Sequence, residues 1–106
     1  ATLADREAMT RCFREAGFSI EATVHAITLL DIYIYGAAQQ YVKLSISTHQ
    51  QAANVSEHIT RTLPTDEYPY FYETLTTYLN KGLYNPKDEF YFGLNLLFDT
   101  IDTLKD

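Results

Sequence analysis

The chain has 106 residues, 46% of them hydrophobic and 21% charged, which fits one globular domain burying roughly 65% of its unfolded surface. Its formal charge of -6, with 8 Lys and Arg scattered along it, opposes binding to a phosphate backbone, and no apolar run approaches the ~20 residues of a membrane helix. The single cysteine, Cys12, cannot form an internal disulfide, so an oxidising compartment is not indicated and a cytoplasmic origin is expected.

From Ala4 to Ala16, Ala8, Met9, Cys12 and Phe13 recur at helical spacing among Arg and Glu residues, predicting an amphipathic helix. Gly17 ends it, and Ser19 can cap the next helix, so Ala16-Gly17-Phe18-Ser19 reads as a helix-helix corner. The following helix, from Ser19 to about Leu44, is apolar nearly all round, and other helices are expected to cover it on several sides. Gly36 within it suggests that a neighbouring helix or a ligand comes close there.

The stretch from Ser45 to Gln51 has weak periodicity and reads as a frayed end followed by a loop. Val55, Ile59 and Leu63 place a short helix over Ala52 to Leu63, broken at Pro64. Thr65-Asp66-Glu67 offers capping chemistry for a helix carrying Pro69 in its first turn and ending near Asn80. Asn85-Pro86-Lys87-Asp88 then starts the last helix, with Asn85 as N-cap, Pro86 at the first position and Asp88 beside the free N–H groups. No strand pattern or internal repeat is present, so the fold class is all-α, a bundle of about five helices whose last two form an antiparallel hairpin.

That last helix carries more apolar surface than one helix can hide. Phe90, Leu94, Leu97, Ile101 and Leu104 form a stripe, Tyr91 and Phe98 widen it, and Gly93 leaves a gap where another backbone could approach. A second copy of the chain supplying the same hairpin would complete a four-helix bundle, with Phe71, Leu75, Phe90, Gly93, Leu94, Leu97 and Ile101 in the homodimer interface. Aromatic residues are enriched at such interfaces, and the acidic neighbours Glu67, Glu73, Asp88 and Glu89 argue against base stacking.

Catalysis and metal binding find no support. His25, His49 and His58 are too scattered to form a ligand set, no serine or cysteine has a local base, and there is no phosphate-binding glycine loop. Asp99 and Asp102 share a helix face but sit at a charge-rich helix end, where solvated carboxylates are the rule. No enzyme activity, metal or cofactor is expected.

The run Arg14-Glu15-Ala16-Gly17-Phe18-Ser19-Ile20-Glu21-Ala22, followed by an apolar helix with Tyr35-Gly36, resembles the C-terminal domain of TetR-family transcriptional repressors. Tyr68-Pro69 and the block from Asp88 to Leu97 are similar to that family's final helix pair, whose Phe-x-x-Gly-Leu segment lies in the dimer interface. The resemblance is nearest to the tetracycline-repressor-like branch. It implies a single regulatory and dimerisation domain over residues 1–106, preceded in a longer bacterial protein by a helix-turn-helix module that reads operator DNA. Effector binding to such a domain releases the DNA.

The family's pocket-facing positions fall on Val24, Ile27, Thr28, Asp31, Ile32 and Tyr35, suggesting an apolar site with few polar anchors for an unidentified small-molecule effector. Asp31 stands out, because a carboxylate among Leu29, Leu30, Ile32 and Ile34 needs a partner. It could orient a ligand, or it could pair with an Arg from another helix. A helical assembly or adaptor domain with no small-molecule site is the competing reading of the whole chain.

Overall fold

The computed structural model describes residues 2–44 and 48–105, and these form five helices without a strand among them. They are α1 (Leu3–Glu15), α2 (Ile20–Leu44), α3 (His49–Thr62), α4 (Pro69–Thr74), which runs on into a π-helical turn (Leu75–Leu79), and α5 (Pro86–Asp102). The all-α expectation holds. The chain divides into two compact units, one of Ala1–Ala37 with Gly93–Asp106 and one of Ala38–Phe92.

In the first unit, α1 begins with a reciprocal cap. The Thr2 hydroxyl accepts from the Asp5 N–H and the Asp5 carboxylate accepts from the Thr2 N–H, both at 3.1 Å. The bond from the Thr2 N–H, with the hydroxyl adding to it, holds the Asp5 carboxyl below the usual carboxylate range.

The predicted corner is present. Gly17 takes φ 102°, while Phe18 N–H donates to the Phe13 carbonyl and Gly17 N–H to the Arg14 carbonyl, both at 3.1 Å, closing the helix in the double-bonded pattern that left-handed glycine permits. The Arg14 guanidinium also donates to the Phe18 carbonyl. Ser19 Oγ then accepts from Ala22 N–H at 3.0 Å and starts α2.

Phe18, Ala22, Ala26, Leu30 and Ile101 form the buried core of this unit, with Met9, Phe13, Leu94, Leu97 and Leu104 packed around it. Phe13 and Phe18 meet edge to face, with centroids 5.2 Å apart. The small side chains Ala22 and Ala26 let this face of α2 pack closely. Ile20, Val24, Ile32 and Tyr35 on its other face are exposed, so among the described residues neighbours cover the predicted spine on one side rather than on several.

The α2 and α5 glycines differ in their surroundings. Among the described residues nothing lies within 4 Å of a Cβ built on Gly36, so no neighbouring helix of this chain approaches there. A Cβ on Gly93 would run into the Tyr33 ring, 3.0 Å from Cζ, so the predicted gap exists but is filled by a side chain of the same unit.

In the second unit, α3 starts three residues before the predicted Ala52. Thr48 and Gln51 form a reciprocal cap, Gln51 N–H donating to Thr48 Oγ1 at 3.1 Å and Thr48 N–H to Gln51 Oε1 at 3.2 Å. Residues 48–51, expected as loop, are therefore the first turn and its cap; the remainder of that expectation, residues 45–47, lies outside the described residues. Ala52, Ala53 and Ser56 are buried, and α3 packs against the π turn.

Asn80 ties these two elements together. Its side chain accepts from Ser56 Oγ at 2.5 Å and donates to Thr60 Oγ1 at 3.1 Å, and its N–H reaches back five residues to the Leu75 carbonyl at 2.7 Å. The expected side-chain cap of α4 is absent, since Tyr68 makes no such bond and the Pro64 carbonyl instead receives the Glu67 and Tyr68 N–H groups at 3.1 and 3.2 Å. The start of α5 is as predicted. Asn85 Oδ1 accepts from Lys87 N–H at 3.0 Å and Asp88 N–H at 3.3 Å, and Tyr41 Oη donates to the buried Pro86 carbonyl at 2.8 Å.

Candidate functional site

The six predicted effector residues lie together on one side of α2. Val24, Thr28, Asp31 and Tyr35 follow steps of four, three and four, with Ile27 and Ile32 at the two margins. This side is opposite Ala22, Ala26 and Leu30, which face the core. Val24, Thr28, Ile32 and Tyr35 are exposed, the last two by 65% and 69%, while Ile27 and Asp31 are half-buried.

Asp31 has a partner on another helix. Arg6 Nη1 donates to its Oδ2 at 2.6 Å, and both side chains remain 43% exposed. A pair so open to water contributes about 0–1 kcal/mol, so its effect is to offset the Asp31 charge rather than to hold α1 on α2. The face is then largely apolar, with the Thr28 and Tyr35 hydroxyls on it and the exposed Glu21 carboxylate at its N-terminal end.

The predicted interface residues divide by burial. Ile101 and Leu75 are each 1% exposed, one in the core of the first unit and one in the second, and have almost no surface left for another molecule. Leu94 and Leu97 are half-buried against the first core, Gly93 lies beneath Tyr33, and Phe90 is half-buried. Phe71 on α4 is exposed. The surface that α5 leaves open is instead Tyr91, Phe92, Leu96 and Phe98.

Clefts lie in each of the two units. In the first unit an opening of about 360 Å³ has Phe13, Phe18 and Ile101 among its walls and Cys12, Asp99 and Asp102 around it. In the second, an opening of about 430 Å³ is lined by Tyr78, Leu83, Asn85, Asp88, Glu89 and Phe92. Neither includes any of the six α2 positions. Sequence reading placed Asn85 and Asp88 in capping roles; the approach of Tyr78 to them depends on the π turn, for which the sequence carries no signal.

Among the described residues no three His, Cys, Asp or Glu side chains are grouped to hold a metal ion, and no helix is long and apolar enough to cross a membrane. Residues 1–104 match the family described as "Tetracyclin repressor-like, C-terminal domain", and the chain belongs to that family, whose domains are non-catalytic. No curated protein and no solved structure matches the chain.

Proposed function

We propose that this chain is the ligand-sensing and homodimerisation domain of a bacterial TetR-like transcriptional repressor. In this reading an effector seated against α2 relieves operator binding by a helix-turn-helix domain N-terminal to it in the whole protein. The observation that carries the proposal is the family membership of residues 1–104 combined with the unpartnered side of α2 at the family's pocket positions. Val24, Ile27, Thr28, Asp31, Ile32 and Tyr35 would contact the effector. Its regulatory effect equals its preference for one arrangement of the dimer over the other.

The partner is a second copy, paired through the α4–α5 hairpin as a four-helix bundle. Phe71, Leu75, Phe90, Gly93, Leu94, Leu97 and Ile101 would belong to that pairing, Leu75 and Ile101 through the elements they anchor rather than by direct contact. Phe98, Leu96 and Tyr91 add the area that α5 exposes. Operator DNA would be touched through the N-terminal domain alone, as the -6 charge of this chain requires.

A thermal-shift screen of the intact protein with hydrophobic compounds tests the sensor, because a ligand that binds the folded state at 100 times its Kd stabilises by about 2.7 kcal/mol. A shift that Tyr35→Ala or Ile32→Ala abolishes supports the reading. A tight dimer that no compound shifts favours the assembly domain without a ligand site, a reading to which the paired state of Asp31 lends weight.

A further inference from the structure

The π turn that follows α4 packs on α3 through two residues that an α-helix would set on different sides. Leu75 is 1% exposed, and Asn80 donates to Thr60 Oγ1 and accepts from the Ser56 hydroxyl, whose residue is 3% exposed. In an α-helix positions 75 and 80 would point about 140° apart. The bond from the Asn80 N–H to the Leu75 carbonyl, at 2.7 Å, instead closes a turn of five residues and brings one nearly above the other.

The residues between them do not account for the extra length. Thr77 and Tyr78 are exposed, and the Thr76 hydroxyl donates back to the Tyr72 carbonyl of its own helix at 3.0 Å. Nor does the backbone choose, because in an α-helix the N–H of residue 80 would meet the Thr76 carbonyl in place of that of Leu75. What favours the rarer π form is the Asn80 side chain. Closing the segment to α-helix with Leu75 in place would carry Asn80 roughly a quarter of a turn away from α3 and strand the buried Ser56 hydroxyl.

We propose that Asn80 is a positioning residue that latches residues 75–79 in the π register, and that releasing it closes the segment to α-helix and turns the α4–α5 connection by that quarter turn. The latch lies within the second unit. Its consequence for assembly, a changed phase of Phe71 against Phe90 across the hairpin, rests on the proposed pairing through α4 and α5, whereas the register does not.

Scalar couplings across hydrogen bonds, from amide nitrogen to carbonyl carbon, name the acceptor of the residue-80 N–H in the isotope-labelled intact protein. The expected coupling runs to Leu75 in the unsubstituted protein and to Thr76 in Asn80→Ala. Ser56→Ala with Thr60→Val removes the partners on α3 and leaves Asn80 free to meet water; it should give the same change, and it decides the matter if Asn80→Ala fails to fold. Deletion of the exposed Thr77 should leave a folded protein with the same N–H still on Leu75, now four residues away, since four steps of α-helix return to within about 40° of the start. These couplings read alike in a monomer and a dimer, so failure of the pairing is distinguishable from failure of the latch. Coupling to Leu75 that persists in both release variants, coupling to Thr76 before any substitution, or unfolding on deletion of Thr77 would each overturn the proposal.

Discussion

Two glycines of similar sequence setting have opposite surroundings, and their substitution should have opposite signs. Gly36→Ala adds a methyl to open space in a helix and should stabilise by about 0.5–1 kcal/mol. Gly93→Ala gains the same helix propensity but drives a methyl into Tyr33, and overpacking of this kind costs about 1–3 kcal/mol. Urea denaturation of both variants checks the pair; destabilisation by Gly36→Ala would reveal a neighbour there after all. Thr23 is 2% exposed and its hydroxyl has no partner among the described residues, so Thr23→Val, which keeps the shape and removes the stranded group, should leave stability unchanged or raise it by about 1 kcal/mol. A loss would show that the assembled protein supplies a partner. Asp5 is the residue whose carboxyl the fold holds below its ordinary range. Its stabilising contribution is complete above the unfolded-state pKa and fades as pH falls through the lower folded one. In Asp5→Asn that part of the acid dependence should vanish, as melting curves between pH 2 and pH 5 would report.

At the scale of elements, the boundaries legible in the sequence are those written in local chemistry. The corner at Gly17 and the start of α5 at Asn85-Pro86 follow from backbone conformation and capping, which involve only near neighbours. The same chemistry at Thr48 and Gln51 was hidden in a polar run without apolar periodicity, and α3 consequently begins earlier than its pattern indicates. The π turn, the filling of the Gly93 gap by Tyr33 and the Arg6–Asp31 pair depend on contacts between distant segments, and no local rule specifies them. For the candidate site, the family resemblance named six α2 positions that share one side of the helix, and no local rule says which side of α2 faces the core. Asn80 is the polar tie on which α3 and the π turn depend. Asn80→Ala would strand the buried Ser56 hydroxyl and should cost about 1–3 kcal/mol, with Ser56→Ala recovering part of the loss in the double variant. Simple additivity of the two would deny that the contact matters.

For the whole molecule, the decisive feature is apolar surface beyond what the two small cores can bury. Tyr35, Ile32 and Val24 on α2, and Phe92, Leu96 and Phe98 on α5, are exposed; under the proposed function an effector covers the first group and a second copy the other. Earlier elements of the α5 stripe, Leu94 and Leu97, serve the internal core as well, so substituting them tests folding and assembly together. Leu96 and Phe98 separate the two, because both are about half exposed. Sedimentation equilibrium of the intact protein therefore tests the central claim most directly. The account predicts a dimer at micromolar concentration that Phe98→Glu or Leu96→Glu converts to a monomer of unchanged helical content. A well-folded monomer from the unsubstituted protein, or a dimer that survives both charges, would contradict it.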